Sequence, residues 1–227
     1  HCLGGASEVS LADALRISCN VTFGEIGLEL GAERLVEQAR RFGFGEEIPS
    51  DIPFAEGGIP DPETFLDRLP AIAFSAIGQQ DVQTNPLHMA LVAGSIGNGG
   101  VMMTPKIVRE VRDPSGRVIQ GLEPEPFRRV MEEENAAALT AMMQGVVSAG
   151  TGTAAQIPGV SVAGKTGTAQ NPNGDPHAWF VSFAPAEAPL IAVAVVVLNG
   201  GDLGSEATGG AIAAPIARQV LAAALTG

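Results

Sequence analysis

Three strand-like runs lie close together in the last third of the chain: Val160 to Ala163, Trp179 to Phe183 and Ile191 to Leu198. An apolar helix from about Ala211 to Leu225 closes them off, with Pro215 tolerated in its first turn. Most of what precedes reads as helix. Glu8 to Arg16 forms a short one, and Ser18-Cys19-Asn20 suits a loop. Thr22 to Leu30 is a second helix, ended by Gly31, and Ala32 to Phe42 a third, stopped at Gly43. Gly45 to Pro62 holds four prolines and reads as irregular surface. Asn85 and Pro86 look like the cap and first position of another helix. Asp113-Pro114-Ser115-Gly116 turns a hairpin between Lys106–Val111 and Val118–Leu122. Glu132 to Glu134 open a helix whose Leu139, Met142, Met143, Val146 and Val147 recur at helical spacing up to Gly150. Helices, then consecutive strands, then a packing helix predict an α+β fold, an antiparallel sheet covered by helices.

Composition narrows the function classes. At 45% hydrophobic and 17% charged residues, the 227-residue chain can build a core. A formal net charge of −12 disfavours nucleic acid and anionic lipid as partners. No run approaches the ~18 apolar residues that a membrane span needs. Three histidines without partner spacing give no metal-site signal. Two cysteines, Cys2 and Cys19, allow one bridge without demanding it. The only lysines are Lys106 and Lys165; a solvated surface position suits the first, and the second asks for an explanation.

Lys165 opens the sharpest motif, Lys165-Thr166-Gly167-Thr168, which follows the first strand candidate. A lysine there supplies a fixed positive charge. The two threonine hydroxyls can bind a carboxylate, and Gly167 lets a substrate backbone approach. The Thr168 N–H can help to stabilise an oxyanion. The second motif is the Ser-x-Asn triplet Ser18-Cys19-Asn20, weak alone but set 147 residues ahead of Lys165. Ser-x-x-Lys, Ser-x-Asn and Lys-Thr-Gly together mark penicillin-recognising serine enzymes.

The chain resembles the penicillin-binding proteins, in particular class B transpeptidases of the penicillin-binding protein A type. Further stretches carry the likeness: Gly78-Gln79-Gln80, Thr84-Asn85-Pro86-Leu87, Asn98-Gly99-Gly100, Gly150-Thr151-Gly152-Thr153 and Ala178 to Pro185. It runs from about Ser7 to the C-terminus. It implies the serine β-lactamase/penicillin-binding transpeptidase fold, with residues 1–227 the C-terminal portion of a single domain whose N-terminal part is missing. It also implies a peptidoglycan D,D-transpeptidase that cross-links stem peptides by serine acyl transfer and binds β-lactams, without a cofactor. Ser18, Asn20 and Lys165 would be catalytic, and Thr166, Gly167 and Thr168 would hold substrate. A working place outside the cytoplasm permits a Cys2–Cys19 disulfide that pins the Ser-x-Asn loop; two buried free thiols are the alternative.

One departure matters. The residues three before the two lysines are Met103 and Val162, so no Ser-x-x-Lys occurs in the chain. The nucleophilic serine and its lysine are expected upstream of His1, in the same or a separate chain, and this chain alone is expected to be inactive. A membrane anchor is expected there too, placing the protein on the extracytoplasmic face of the plasma membrane, with cell-division proteins as partners. The competing readings are a serine β-lactamase and a non-catalytic β-lactam sensor or division scaffold.

Overall fold

In the computed structural model, residue 2 and residues 8–65 and 68–226 are described. The centre is a three-stranded antiparallel sheet in the order β5 (Ala163–Ala169), β6 (His177–Ala184), β7 (Ile191–Val197). Side chains alternate across it, so residues of opposite parity build different cores. Phe180 and Ala184 face one way and meet Ala213, Ala214, Ala217 and Leu221, the last three on helix α6 (Ala214–Thr226). Phe183 and Ala163 face the other way. They meet Ala93 and Ile96 of α4 (Pro86–Gly97) and Met143 of α5 (Glu133–Ala149). Both phenylalanines are fully buried, and each contributes roughly 2–3 kcal/mol by leaving water. The stretch Gly209–Thr226 is apolar and long enough to cross a membrane, but its inner face is the lid of this core.

The antiparallel sheet under helices stands as expected. The first strand lies further along than expected: it starts at Ala163, so Lys165-Thr166-Gly167-Thr168 lies within β5 and does not follow a strand. Pairing decides this, because each residue from Ala163 to Ala169 has a partner in β6, Lys165 opposite Val181 and Gly167 opposite Trp179. The hairpin forms as β2 (Glu110–Arg112) and β3 (Val118–Gly121). The sequence pattern gave no sign of β1 (Val101–Met103) with its partner β4 (Pro126–Arg129), or of α3 (Leu69–Ala76).

The N-terminal helices form the second wall. α1 (Leu11–Arg16) starts later than expected, capped by the Ser10 hydroxyl. α2 (Asn20–Arg41) begins two residues earlier than expected, so Asn20 is already helical. Gly31 breaks its helical backbone with φ 78°, which explains why the sequence reads as two helices there. α3 lies against α2 at two glycines. A Cβ on Gly24 would meet Ala73 at 3.5 Å, and one on Gly27 would meet Ala76 Cβ at 2.3 Å. The first is an ordinary contact, but the second excludes a side chain, so the close approach rests on Gly27.

Candidate active site

Ser18 is placed by the way α1 ends. The Cys19 N–H donates to Ala14 O (2.8 Å) and the Ser18 N–H to Leu15 O (3.2 Å). This is a Schellman cap, whose penultimate residue must be left-handed. Ser18 occupies that position with φ 56°, where glycine is the unstrained choice. The cap turns the chain from α1 into α2 within three residues and leaves the Ser18 side chain half-buried. Cys19 is buried and bonded to Cys2, with the two Cα atoms 5.0 Å apart. The middle residue of the triplet is thereby tied to the N-terminal segment. Asn20 is exposed at the head of α2.

Lys165 comes from the other wall. Its Nζ donates to Ser18 Oγ at 2.7 Å and to Thr166 O at 2.8 Å, joining positions 147 residues apart. Burial brings its ammonium from the ordinary 10.5 down to about 8, because a charge away from bulk water is disfavoured. Near neutral pH the group is still mostly charged. It can hold the Ser18 oxygen and can also release a proton at small cost.

The segment between α5 and β5 wedges the two walls together. Thr151 N–H donates to Arg16 O (3.2 Å), and Arg16 Nη1 donates to Ala149 O (3.0 Å). The Thr151 hydroxyl pairs with that of Thr166 at 2.6 Å. A Cβ on Gly150 would strike Arg16 O at 2.3 Å. Thr166 is buried, and its side chain lies on the sheet face opposite Lys165. If Thr151 donates in this pair, the Thr166 proton remains free for another acceptor. Gly167 shares the Lys165 face, and a Cβ there would meet Trp179 Cβ at 3.2 Å.

Thus Ser18 and Lys165 are brought together, Thr166 turns its hydroxyl toward Thr151, and Thr168 stands half-buried near the end of β5. Thr151 and Gln79 border the same strand, and no motif names either as a site residue. Gln79 Nε2 donates to Thr168 O (3.1 Å), and its Oε1 accepts from Gln170 N–H (3.2 Å). His177 opens β6, with Nδ1 accepting from Asn199 N–H. His88 is fully buried, 2.7 Å from Phe42 O. Lys106 pairs with Glu125. Among the described residues no group of three or more His, Cys, Asp and Glu side chains could hold a metal ion.

Residues 3–222 match the family model of the penicillin binding protein transpeptidase domain. The peptidoglycan D,D-transpeptidase PbpA of Mycobacterium tuberculosis is 41% identical over 99% of this chain and 45% of its own length. The crystal structure of PBPA from M. tuberculosis superposes with a TM-score of 0.87 at 38% identity, covering 98% of this chain and 53% of that one. A penicillin G acyl-enzyme complex of the same protein gives 0.86 at 40% identity, covering 99% and 50%. The chain spans about half the length of the relatives it matches.

Proposed function

The chain belongs to the penicillin-binding protein transpeptidase domain family, and from that premise we propose that it is the C-terminal portion of a peptidoglycan D,D-transpeptidase domain. In this reading a serine from the upstream part attacks the carbonyl carbon of a stem peptide's D-Ala-D-Ala bond. The C–N bond breaks, D-Ala leaves with a proton, and an ester joins the remaining acyl group to the serine. An amine of a second stem peptide then attacks the ester and takes the acyl group, and the serine recovers its proton. A β-lactam acylates the same serine. The reaction takes place outside the cytoplasm, where the Cys2–Cys19 bridge persists.

The observation that carries this reading is the 2.7 Å bond from Lys165 to Ser18. Ser18 passes the proton to the leaving nitrogen, and Lys165, with its value near 8, makes the hydroxyl a better donor as negative charge builds. Asn20 holds the substrate amide. Lys165 and the edge formed by Thr166, Gly167 and Thr168 receive the substrate carboxylate. The Thr168 N–H supplies half of the oxyanion hole.

Labelling with a fluorescent penicillin tests it. The intact protein, upstream segment included, gains a denaturation-stable adduct on a Ser-x-x-Lys serine, identified by mass spectrometry. The present chain alone gains none. Ser18→Ala slows acylation about a hundredfold. Labelling of this chain alone, or an intact protein that takes no adduct, would overturn the reading. Rapid turnover of the adduct would move it to a β-lactam hydrolase.

A further inference from the structure

We propose that Gln79 is a positioning residue that holds the Thr168 carbonyl and the Gln170 N–H at the free edge of β5 and so keeps the Thr168 N–H aimed into the cleft. The inference rests on the acyl-transfer reading above. β5 is the outer strand of its sheet, paired with β6 on one side only. In a strand the N–H and C=O of one residue point to the same side, and neighbours alternate. Thr166, Thr168 and Gln170 therefore turn their backbone groups outward.

Two side chains occupy that edge. The Lys165 ammonium takes Thr166 O. The Gln79 carboxamide takes Thr168 O through Nε2 and Gln170 N–H through Oε1. A carboxamide carries the same donor and acceptor as a peptide group. Gln79 thus acts as a single residue of an adjacent strand, placed where β5 has no such neighbour. The Thr168 N–H lies in the preceding peptide plane, but a Thr168 carbonyl held at the edge fixes the following plane and limits rotation about Thr168, so the N–H on the same side keeps its direction. An edge strand without this hold would fray at its end.

The element beneath Gln79 is itself held by backbone hydrogen bonds. α3 ends in a Schellman cap, with the Gln79 N–H donating to Phe74 O (3.0 Å) and the Gly78 N–H to Ser75 O (3.0 Å). Gly78 supplies the left-handed residue, at φ 73°. The close approach at Gly27 packs α3 against α2, the helix that starts at Asn20. The side chain of Gln79 is half-buried, and no step of the proposed chemistry uses it.

The test compares the intact protein, upstream segment included, with Gln79→Ala and the isosteric Gln79→Glu. Glutamate keeps the acceptor for Gln170 N–H and loses the donor to Thr168 O. Benzylpenicillin acylation is resolved into a binding constant and a limiting rate. Both variants are expected to lose about tenfold in the limiting rate, less than removal of an oxyanion donor outright. The binding constant and the titratable fraction stay as in the unsubstituted protein. A merely structural role would lower the titratable fraction and spare the limiting rate. Hydrogen exchange of the Gln170 amide is the second arm and speeds up about tenfold or more in Gln79→Ala as its acceptor is lost. An unchanged limiting rate in Gln79→Glu overturns the proposal even if Gln79→Ala fails to fold. An unchanged Gln170 exchange rate overturns the clamp whatever the chemistry. Failure of the unsubstituted protein to acylate instead brings down the acyl-transfer reading.

Discussion

Ser18 pays a conformational penalty for its position, and substitution can measure it. Ser18→Ala and Ser18→Gly both remove the hydroxyl that Lys165 holds. Only glycine relieves the left-handed backbone at φ 56°. Ser18→Gly is therefore expected to be more stable than Ser18→Ala by about 1 kcal/mol. Urea denaturation of the pair checks this, and equal midpoints would refute it. Lys165 gives a prediction in pH. Its native value is about 8 against 10.5 unfolded, so between those limits the unfolded chain holds a proton that the native state has released. Stability then rises with pH across that window, by up to roughly 3 kcal/mol. The window holds few other groups: the chain has no tyrosine and only one other lysine, and both cysteines are bonded to each other. Lys165→Met should lack the rise when the two proteins are denatured at pH 7, 8, 9 and 10. Ser18 and Lys165 were legible in the sequence because motif and spacing name them. Thr151 and Gln79 were not, since each acts through a backbone or hydroxyl partner 15 to 91 residues away.

Helix ends and glycine contacts carry the site at the scale of elements. Two Schellman caps, at the ends of α1 and α3, deliver Ser18 and Gln79 to the same strand. Gly27 tests the link between α2, which follows Ser18, and α3, whose cap closes at Gln79. Alanine is intrinsically favoured over glycine within a helix by about 1 kcal/mol. At Gly27, however, the new methyl would lie 2.3 Å from Ala76 Cβ, and overpacking costs about 1–3 kcal/mol or more. Gly27→Ala is expected to lower stability, whereas Gly145→Ala in α5, with nothing within 4 Å of the added methyl, should raise it. A thermal melt of both variants decides, and a stabilised Gly27→Ala would mean that α3 can move. The elements that the sequence revealed are those with a cap, a turn signal or a periodic run of their own: α1, α2, the β2–β3 hairpin, α4, α5, β6, β7 and α6. β5 was displaced because Lys165-Thr166-Gly167-Thr168 has no strand-like alternation, and its extended form is imposed by β6. α3 was missed because Leu69-Pro70-Ala71-Ile72-Ala73 is apolar on every side. The β1–β4 pair was missed because its partners are separated by a hairpin.

Charge is the property that belongs to the whole molecule. A net −12 spread over one chain repels itself in the compact state. The ion pairs do little to offset it, because pairs such as Arg16–Asp13, Arg41–Glu37 and Arg117–Asp113 lie at the surface. Such pairs contribute about 0–1 kcal/mol each. Screening therefore removes more repulsion than attraction. Raising sodium chloride from low salt to about 0.1 M, where the screening length is about 10 Å, is expected to raise the melting temperature by a few degrees. Lys165 and Ser18 are shielded by burial, so their bond should not weaken in step. Melting the chain at fixed pH across a salt series tests this balance. A melting temperature that falls with salt would show that the surface pairs, and not the net charge, dominate the electrostatics of the fold.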